Sequence, residues 1–225
     1  MNVAIIPARG GSKRIPKKNI KTFYGKPMLH YPLKQACDSG LFDKVVVSSD
    51  DDEILEVAST FSASIECYKR SKNLSDDFTP TIPVIQDYIR SASIHIDDIC
   101  CIYPCTPFLT KETLNKFYIE YAKDKNYFYF PVVEFSSSIY RSLSLNSKNV
   151  VSPIFKENTN TRTQDLSKAF YDAGQFYIGS RDKWLKEEKI HSSAKALSVS
   201  KLIAVDIDEI EDWYLAENIY KNNAS

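Results

Sequence analysis

The chain has 225 residues, 43% hydrophobic and 26% charged, with 29 Lys and Arg against 29 Asp and Glu, so its formal net charge is zero. That composition describes one globular domain spanning 1–225, long enough to bury roughly 70–75% of the surface its unfolded chain exposes. Zero net charge supplies no long-range attraction for nucleic acid or an anionic membrane, so any phosphate chemistry must use locally placed cations.

The five cysteines (Cys37, Cys67, Cys100, Cys101 and Cys105) contain no Cys-x-x-Cys and lie mostly in apolar runs. They read as reduced, buried thiols of a cytoplasmic protein. Cys100, Cys101 and Cys105 offer no second ligand pair for a metal, and none of His30, His95 and His191 completes one. The first residues lack the charged region of a signal peptide, and no apolar stretch is long enough to span a bilayer.

Short β-branched runs alternate with segments of helical period, the pattern of a parallel sheet wrapped by crossover helices. Val3–Pro7 is the first expected strand, and a loop runs from Ala8 to about Lys21. Pro27 is expected to open a helix with Leu29, Leu33 and Cys37 on one stripe, ending at Gly40. Asp43–Ser49 has the unbroken apolar character of a central parallel strand. Asp51–Phe61 is helical, its acidic start suiting the helix dipole. Strands at Ser64–Tyr68 and Ile99–Tyr103 flank a helix around Pro83–Ala92. Lys111–Lys123 is helical and Tyr127–Phe135 is an aromatic strand. Residues 136–168 carry no clean period, which marks a functional arm or a β excursion packed on something else. Strands at Ala169–Ile178 and Ile203–Ile207 and a helix from Glu209 to about Lys221 complete the pattern.

The first strand runs into Ala8-Arg9-Gly10-Gly11-Ser12-Lys13-Arg14-Ile15-Pro16-Lys17-Lys18-Asn19. Glycines let backbone N–H groups approach phosphate oxygens closely, and the basic side chains supply local charge. The loop follows a parallel strand, where open α/β sheets bind ligands. Ile15 stands where a P-loop needs its second glycine, and no Gly-x-Gly-x-x-Gly is present, which removes most ATPase and dinucleotide readings. A solvated basic turn is the bland alternative for Gly-Gly-Ser-Lys taken alone. Near the other end, Asp206 and Asp208 lie two apart on an apolar run of strand type. Their carboxylates could converge on Mg²⁺ together with phosphate oxygens, or form an acidic helix start.

With Arg9-Gly10-Gly11-Ser12-Lys13 and Lys18-Asn19, Arg70-Ser71 through Leu74-Ser75-Asp76-Asp77 to Thr79 and Thr81, Pro104-Cys105-Thr106-Pro107-Phe108, and Asp206-Ile207-Asp208, the chain resembles the CMP-N-acetylneuraminate synthetase family over nearly its whole length. The resemblance implies a Rossmann-like nucleotide-diphosphosugar transferase fold, α/β with a mostly parallel sheet flanked by helices, and a homodimer with a β-rich dimerisation arm at 136–168. It implies that the basic loop binds the triphosphate of CTP and that the 70–81 segment recognises cytidine. CTP binding is thereby expected at Ala8, Arg9, Gly10, Gly11, Ser12, Lys13, Lys18, Asn19, Arg70, Thr79 and Thr81. Asp206 and Asp208 are the expected Mg²⁺ ligands.

In this reaction a sugar's anomeric hydroxyl attacks the α-phosphate of CTP and pyrophosphate departs, so charge must be stabilised on the leaving phosphates. Lys13, Lys18 and Arg9 are candidates for that task, and Asp208 joins them through the metal. Sialic acid synthetases carry an Asn-Gly-Ala-x-Tyr type segment where this chain has Tyr171-Asp172-Ala173-Gly174-Gln175-Phe176-Tyr177. That segment resembles the branch that activates pseudaminic acid, a nonulosonic acid of bacterial surface and flagellar glycans. Tyr103, Arg141, Arg162, Gln164, Asp172, Gln175 and Tyr177 are the expected sugar contacts, the arginines pairing with the sugar carboxylate. Sialic or legionaminic acid is the alternative acceptor. A haloacid-dehalogenase type phosphatase also uses Asp-x-Asp, but after the first strand, which here carries the basic loop. A non-catalytic nucleotide-binding module would need the cations and not the aspartates.

Overall fold

The computed structural model describes residues 1–223. Strand Asn2–Pro7 (β1) holds a central place because its Val3–Ile6 core is buried on both faces. Two-residue strands Thr22–Phe23 (β2) and Lys26–Pro27 (β3) form a separate hairpin, followed by helix His30–Asp38 (α1). Strand Lys44–Ser49 (β4), helix Asp52–Phe61 (α2) and strand Ile65–Lys69 (β5) come next. Helix Thr81–Ser91 (α3) and strand Asp98–Ile102 (β6) complete a half in which β5, β4, β1 and β6 run parallel in that spatial order.

The second half contains helix Lys111–Lys123 (α4), strand Phe128–Glu134 (β7), the short strands Leu143–Leu145 (β8) and Val151–Pro153 (β9), and strands Phe170–Asp172 (β10) and Phe176–Ser180 (β11). Helix Arg181–Lys186 (α5), strand Ala194–Ser198 (β12) and helix Ile210–Asn223 (α6) close the described chain. β11 pairs antiparallel with both β6 and β7, while β7 also takes β10 antiparallel and β12 parallel, giving an eight-stranded sheet. Apolar side chains of the sheet pack on α1, α2 and α4 on one face and on α3 and α5 on the other. The mostly parallel, helix-flanked α/β architecture matches the expectation from the sequence.

Several elements depart from it. α1 opens at His30 rather than Pro27, because Met28 N–H donates to Lys21 O at 3.0 Å and Leu29 N–H to Asn19 O at 2.8 Å, holding this stretch on the loop. The expected strand Ala169–Ile178 is two strands. Asp172 Oδ1 accepts the Gly174 N–H at 2.8 Å, and Gly174 at φ +62° takes a conformation that favours glycine, breaking the ladder between β10 and β11. The expected strand Ile203–Ile207 joins no ladder. Its apolar character reflects burial of Ala204 and Ile207, while side chains satisfy two of its carbonyls: Gln175 Nε2 donates to Ile203 O and Lys18 Nζ to Ile207 O. α5 and β12 were not expected from the sequence; both are short, and β12 alternates without a strongly apolar face. The 136–168 arm holds the exposed β8–β9 hairpin and several 3₁₀ turns.

Candidate active site

The carboxyl ends of β1, β5 and β6 and the first turn of α3 surround a cleft of about 650 Å³. This is the edge at which open α/β sheets bind ligands, and the N-terminus of α3 adds a positive dipole end to its wall. Arg9, Ser12, Lys13, Lys18 and Asn19 reach the cleft from the basic loop, Arg70, Thr79 and Thr81 from the segment after β5, Tyr103 from the end of β6, and Asp206 and Asp208 from the segment before α6.

A hydrophobic cluster explains how the two charged motifs meet. Ile15, inside the basic loop, and Ile207, between the two aspartates, are each 1% exposed and pack in one cluster with Phe23, Met28, Phe108 and Trp213 of α6. Burying an aliphatic side chain contributes about 1.5–3 kcal/mol, far more than exposed ion pairs, so apolar packing sets the distance between cations and carboxylates. Lys18 then donates to Ile207 O at 2.6 Å and lies 3.6 Å from Asp208, while Arg14 pairs with Asp208 at 2.8 Å.

The loop is tightly constrained on its inner side. Ala8 is buried, its N–H donating to Ser48 O at 2.9 Å. A Cβ on Gly10 would come within 2.4 Å of Asp51 Oδ2, so only glycine permits this close approach to the start of α2. Gly11 faces open space. Asn19, 6% exposed, donates from Nδ2 to Arg9 O at 2.9 Å, so its amide shapes the loop. Arg9 Nη1 and Lys13 Nζ donate to the two oxygens of Asp77, each at 2.5 Å, and hold its carboxyl below the usual carboxylate range.

In the segment before α6, local desolvation and then the neighbouring Asp208 push the Asp206 carboxyl above its ordinary range, against the pull of Lys18. Arg70 is buried, donates from Nε to Ser75 Oγ at 2.9 Å, and has its pKa lowered by burial against the opposing pull of Asp50. Cys105 lines the cleft as a neutral thiol, since burial pushes its pKa up to about 12.

Comparison with known proteins places this architecture. A family model described as cytidylyltransferase matches residues 3–215. The chain belongs to the cytidylyltransferase family. It is 42% identical to a pseudaminic acid cytidylyltransferase of Campylobacter jejuni subsp. jejuni serotype O:2, covering 99% of this chain and 97% of that protein. It is 32% identical to N-acylneuraminate cytidylyltransferase B of Danio rerio, over 95% of this chain and 50% of that one. Among solved structures, a CMP:2-keto-3-deoxy-manno-octonic acid synthetase complexed with CTP shares the fold at TM-score 0.72 and 14% identity, covering 99% of each chain.

Not all of the residues expected to bind sugar line the cleft of this cytidylyltransferase. Tyr103 does, its hydroxyl 2.8 Å from Thr81 Oγ1. Asp172, Gln175 and Tyr177 sit behind it, Gln175 and Tyr177 being buried. Tyr177 OH donates to Asp172 Oδ2 at 2.8 Å, and burial pushes that phenol's pKa up. The arm residues lie elsewhere: Arg141 donates to Asn158 O and Thr159 O at 3.1 and 2.6 Å, Arg162 pairs with Asp165 at 2.8 Å, and Gln164 is exposed.

One contact in the cleft and one behind it carry no signal in the sequence. Arg14 belongs to the basic run and its charge was visible, but nothing in the sequence pairs it with Asp208. His191 Nε2 lies 2.7 Å from Asp172 Oδ2 and its ring packs edge-on against Phe130, a contact without any sequence signal because 19 residues separate the pair.

Proposed function

We propose that this cytidylyltransferase transfers CMP from CTP to the anomeric hydroxyl of a nonulosonic acid, releasing pyrophosphate, and that the acid is pseudaminic acid. The observation that carries the reading is the cleft itself, lined by Arg9, Lys13, Lys18 and Arg70 together with Asp206 and Asp208. The 42% identity to a pseudaminic acid cytidylyltransferase supports the acceptor. N-acetylneuraminic acid is the second reading, supported by the weaker likeness to an N-acylneuraminate enzyme.

Arg9 and Lys13 bind the outer phosphates, and Lys18, whose ammonium is fixed by Ile207 O, holds a positive charge beside the position where the leaving group gains charge. The Ser12 hydroxyl and the loop N–H groups orient phosphate oxygens by hydrogen bonds. Arg70 and the Thr79–Thr81 segment hold the nucleoside against the N-terminal turn of α3. Asp206 and Asp208 suit a hard cation: both are carboxylates, and desolvation together with mutual repulsion favours a positive partner between them. Mg²⁺ bound there supplies charge neutralisation to the phosphates and lowers the pKa of the attacking hydroxyl.

The chain works as a homodimer in the cytoplasm, its 136–168 arm carrying Arg141, Arg162 and Gln164 toward the partner's sugar site. Its product serves glycosyl transfer onto bacterial surface or flagellar glycans. Purified protein given CTP, Mg²⁺ and pseudaminic acid releases one pyrophosphate per CMP-sugar formed, and chelation of divalent cations stops it. Absence of pyrophosphate release with every nonulosonic acid contradicts the reading.

A further inference from the structure

Asp77 occupies the donors that the preceding reading gives to phosphate. Its Oδ1 accepts from Arg9 Nη1 and its Oδ2 from Lys13 Nζ, each at 2.5 Å. One carboxylate thus engages two separate cations, as a pair of phosphate oxygens would. The turn that carries it is held by its own atoms. Asp76 Oδ1 accepts from the N–H groups of Phe78 and Thr79 at 2.9 and 2.6 Å and from the Thr79 hydroxyl at 2.7 Å. Phe78 is 90% exposed, so no apolar side chain at the tip fastens the turn to the core. Among the described residues, the hydrogen bonds and ion pairs that tie residues 76–79 to other segments are those of Asp77 with Arg9 and Lys13. On either side the segment is anchored, by buried Arg70 before it and by α3 after it.

We propose that Asp77 is an intramolecular competitor for pyrophosphate, a latch that yields Arg9 and Lys13 to the incoming triphosphate and takes them back as pyrophosphate leaves. The inference rests on the reading of these cations as triphosphate ligands. Both ion pairs reach solvent, with Lys13 81%, Arg9 37% and Asp77 34% exposed, and such pairs are each worth about 0–1 kcal/mol, weak enough for a polyanion to displace. A carboxylate tethered beside its cations acts at an effective concentration on the order of millimolar or above, high enough to compete with a departing diphosphate. The latch makes and breaks no covalent bond. It multiplies the intrinsic affinity of the site for phosphates by the fraction of molecules in which Arg9 and Lys13 are free, and so weakens binding by that factor.

The test is titration calorimetry of inorganic pyrophosphate, and of CTP, each with Mg²⁺, into the wild-type protein and Asp77→Asn. Asparagine keeps the size and removes the charge. Pyrophosphate should bind the variant about three- to tenfold more tightly, the factor given by a free fraction of about 0.1–0.3, and should become a correspondingly stronger product inhibitor. In an Arg9→Ala, Lys13→Ala background the Asp77→Asn effect should vanish, which a merely structural role for Asp77 would not produce. Equal or weaker pyrophosphate binding by Asp77→Asn, with an unchanged melting temperature, overturns the latch. Binding of neither CTP nor pyrophosphate by the wild type overturns the nucleotide reading and the latch together, and is distinguished by the flat wild-type titration.

Discussion

Ile15 and Ile207 each interrupt a charged motif, and each is almost wholly buried in the cluster that joins the basic loop to α6. The charged residues on either side stand out in the sequence as a candidate phosphate loop and a candidate metal pair. The anchors do not, because an isoleucine among lysines or aspartates reads as an interruption until its packing partners, far away in the chain, are known. Ile207→Ala should therefore lower stability by about 2–4 kcal/mol in urea unfolding, from lost burial and a residual cavity. It should also reduce turnover although no charged group has been removed. Asp208→Ala should cost on the order of 10²–10³ in kcat, the scale of one electrostatic contact to developing charge, measured by steady-state pyrophosphate release. Near-wild-type turnover in that variant would remove Asp208 from the metal and leaving-group assignment.

At the scale of elements, the start of α6 links the acidic motif to a helix cap. Asp212 Oδ2 accepts the N–H groups of Asp208 and Glu209 at 3.0 and 2.8 Å, and these bonds hold its carboxyl below the ordinary range. Asp212→Ala should cost about 1 kcal/mol of stability at neutral pH, the usual scale for a lost cap. The pH sign follows from the direction of the shift. A carboxyl with a folded pKa below its unfolded value of about 3.9 stabilises fully above that pH and loses its contribution as pH falls through the folded pKa. The stability gap between wild type and Asp212→Ala should accordingly close in acid, as followed by thermal melts from neutral pH to about pH 2. Strands and helices with strong periodicity, such as β4, α2 and α4, were readable from sequence because local pattern and burial agree. The 203–207 run was not, since its apolar residues serve a cluster instead of a ladder, and the Asp172–Gly174 turn split a strand that periodicity alone joins.

Over the whole molecule, zero net charge conceals two local excesses brought together in one cleft, a basic loop at 9–18 and an acidic segment at 206–212. The arm is the other large-scale feature. Leu143, Leu145, Val150, Val151 and Ile154 are all more than half exposed there, an apolar surface that a lone chain leaves in water. Analytical ultracentrifugation should give a dimer, and Leu143→Asp with Leu145→Asp should shift it toward monomer and raise the sugar KM while leaving CTP binding intact. Sequence marked this arm by its lack of period and could not show the hairpin within it, whose exposed apolar residues satisfy no core.

The proposed chemistry of this cleft is the joining of CMP to pseudaminic acid. Its most direct test is the ratio of kcat/KM for pseudaminic acid over N-acetylneuraminic acid, measured by pyrophosphate release at fixed CTP and Mg²⁺. A ratio well above one is expected, on the order of 10² or more given that mismatched buried polar groups penalise the wrong sugar. A ratio of one or below would contradict it.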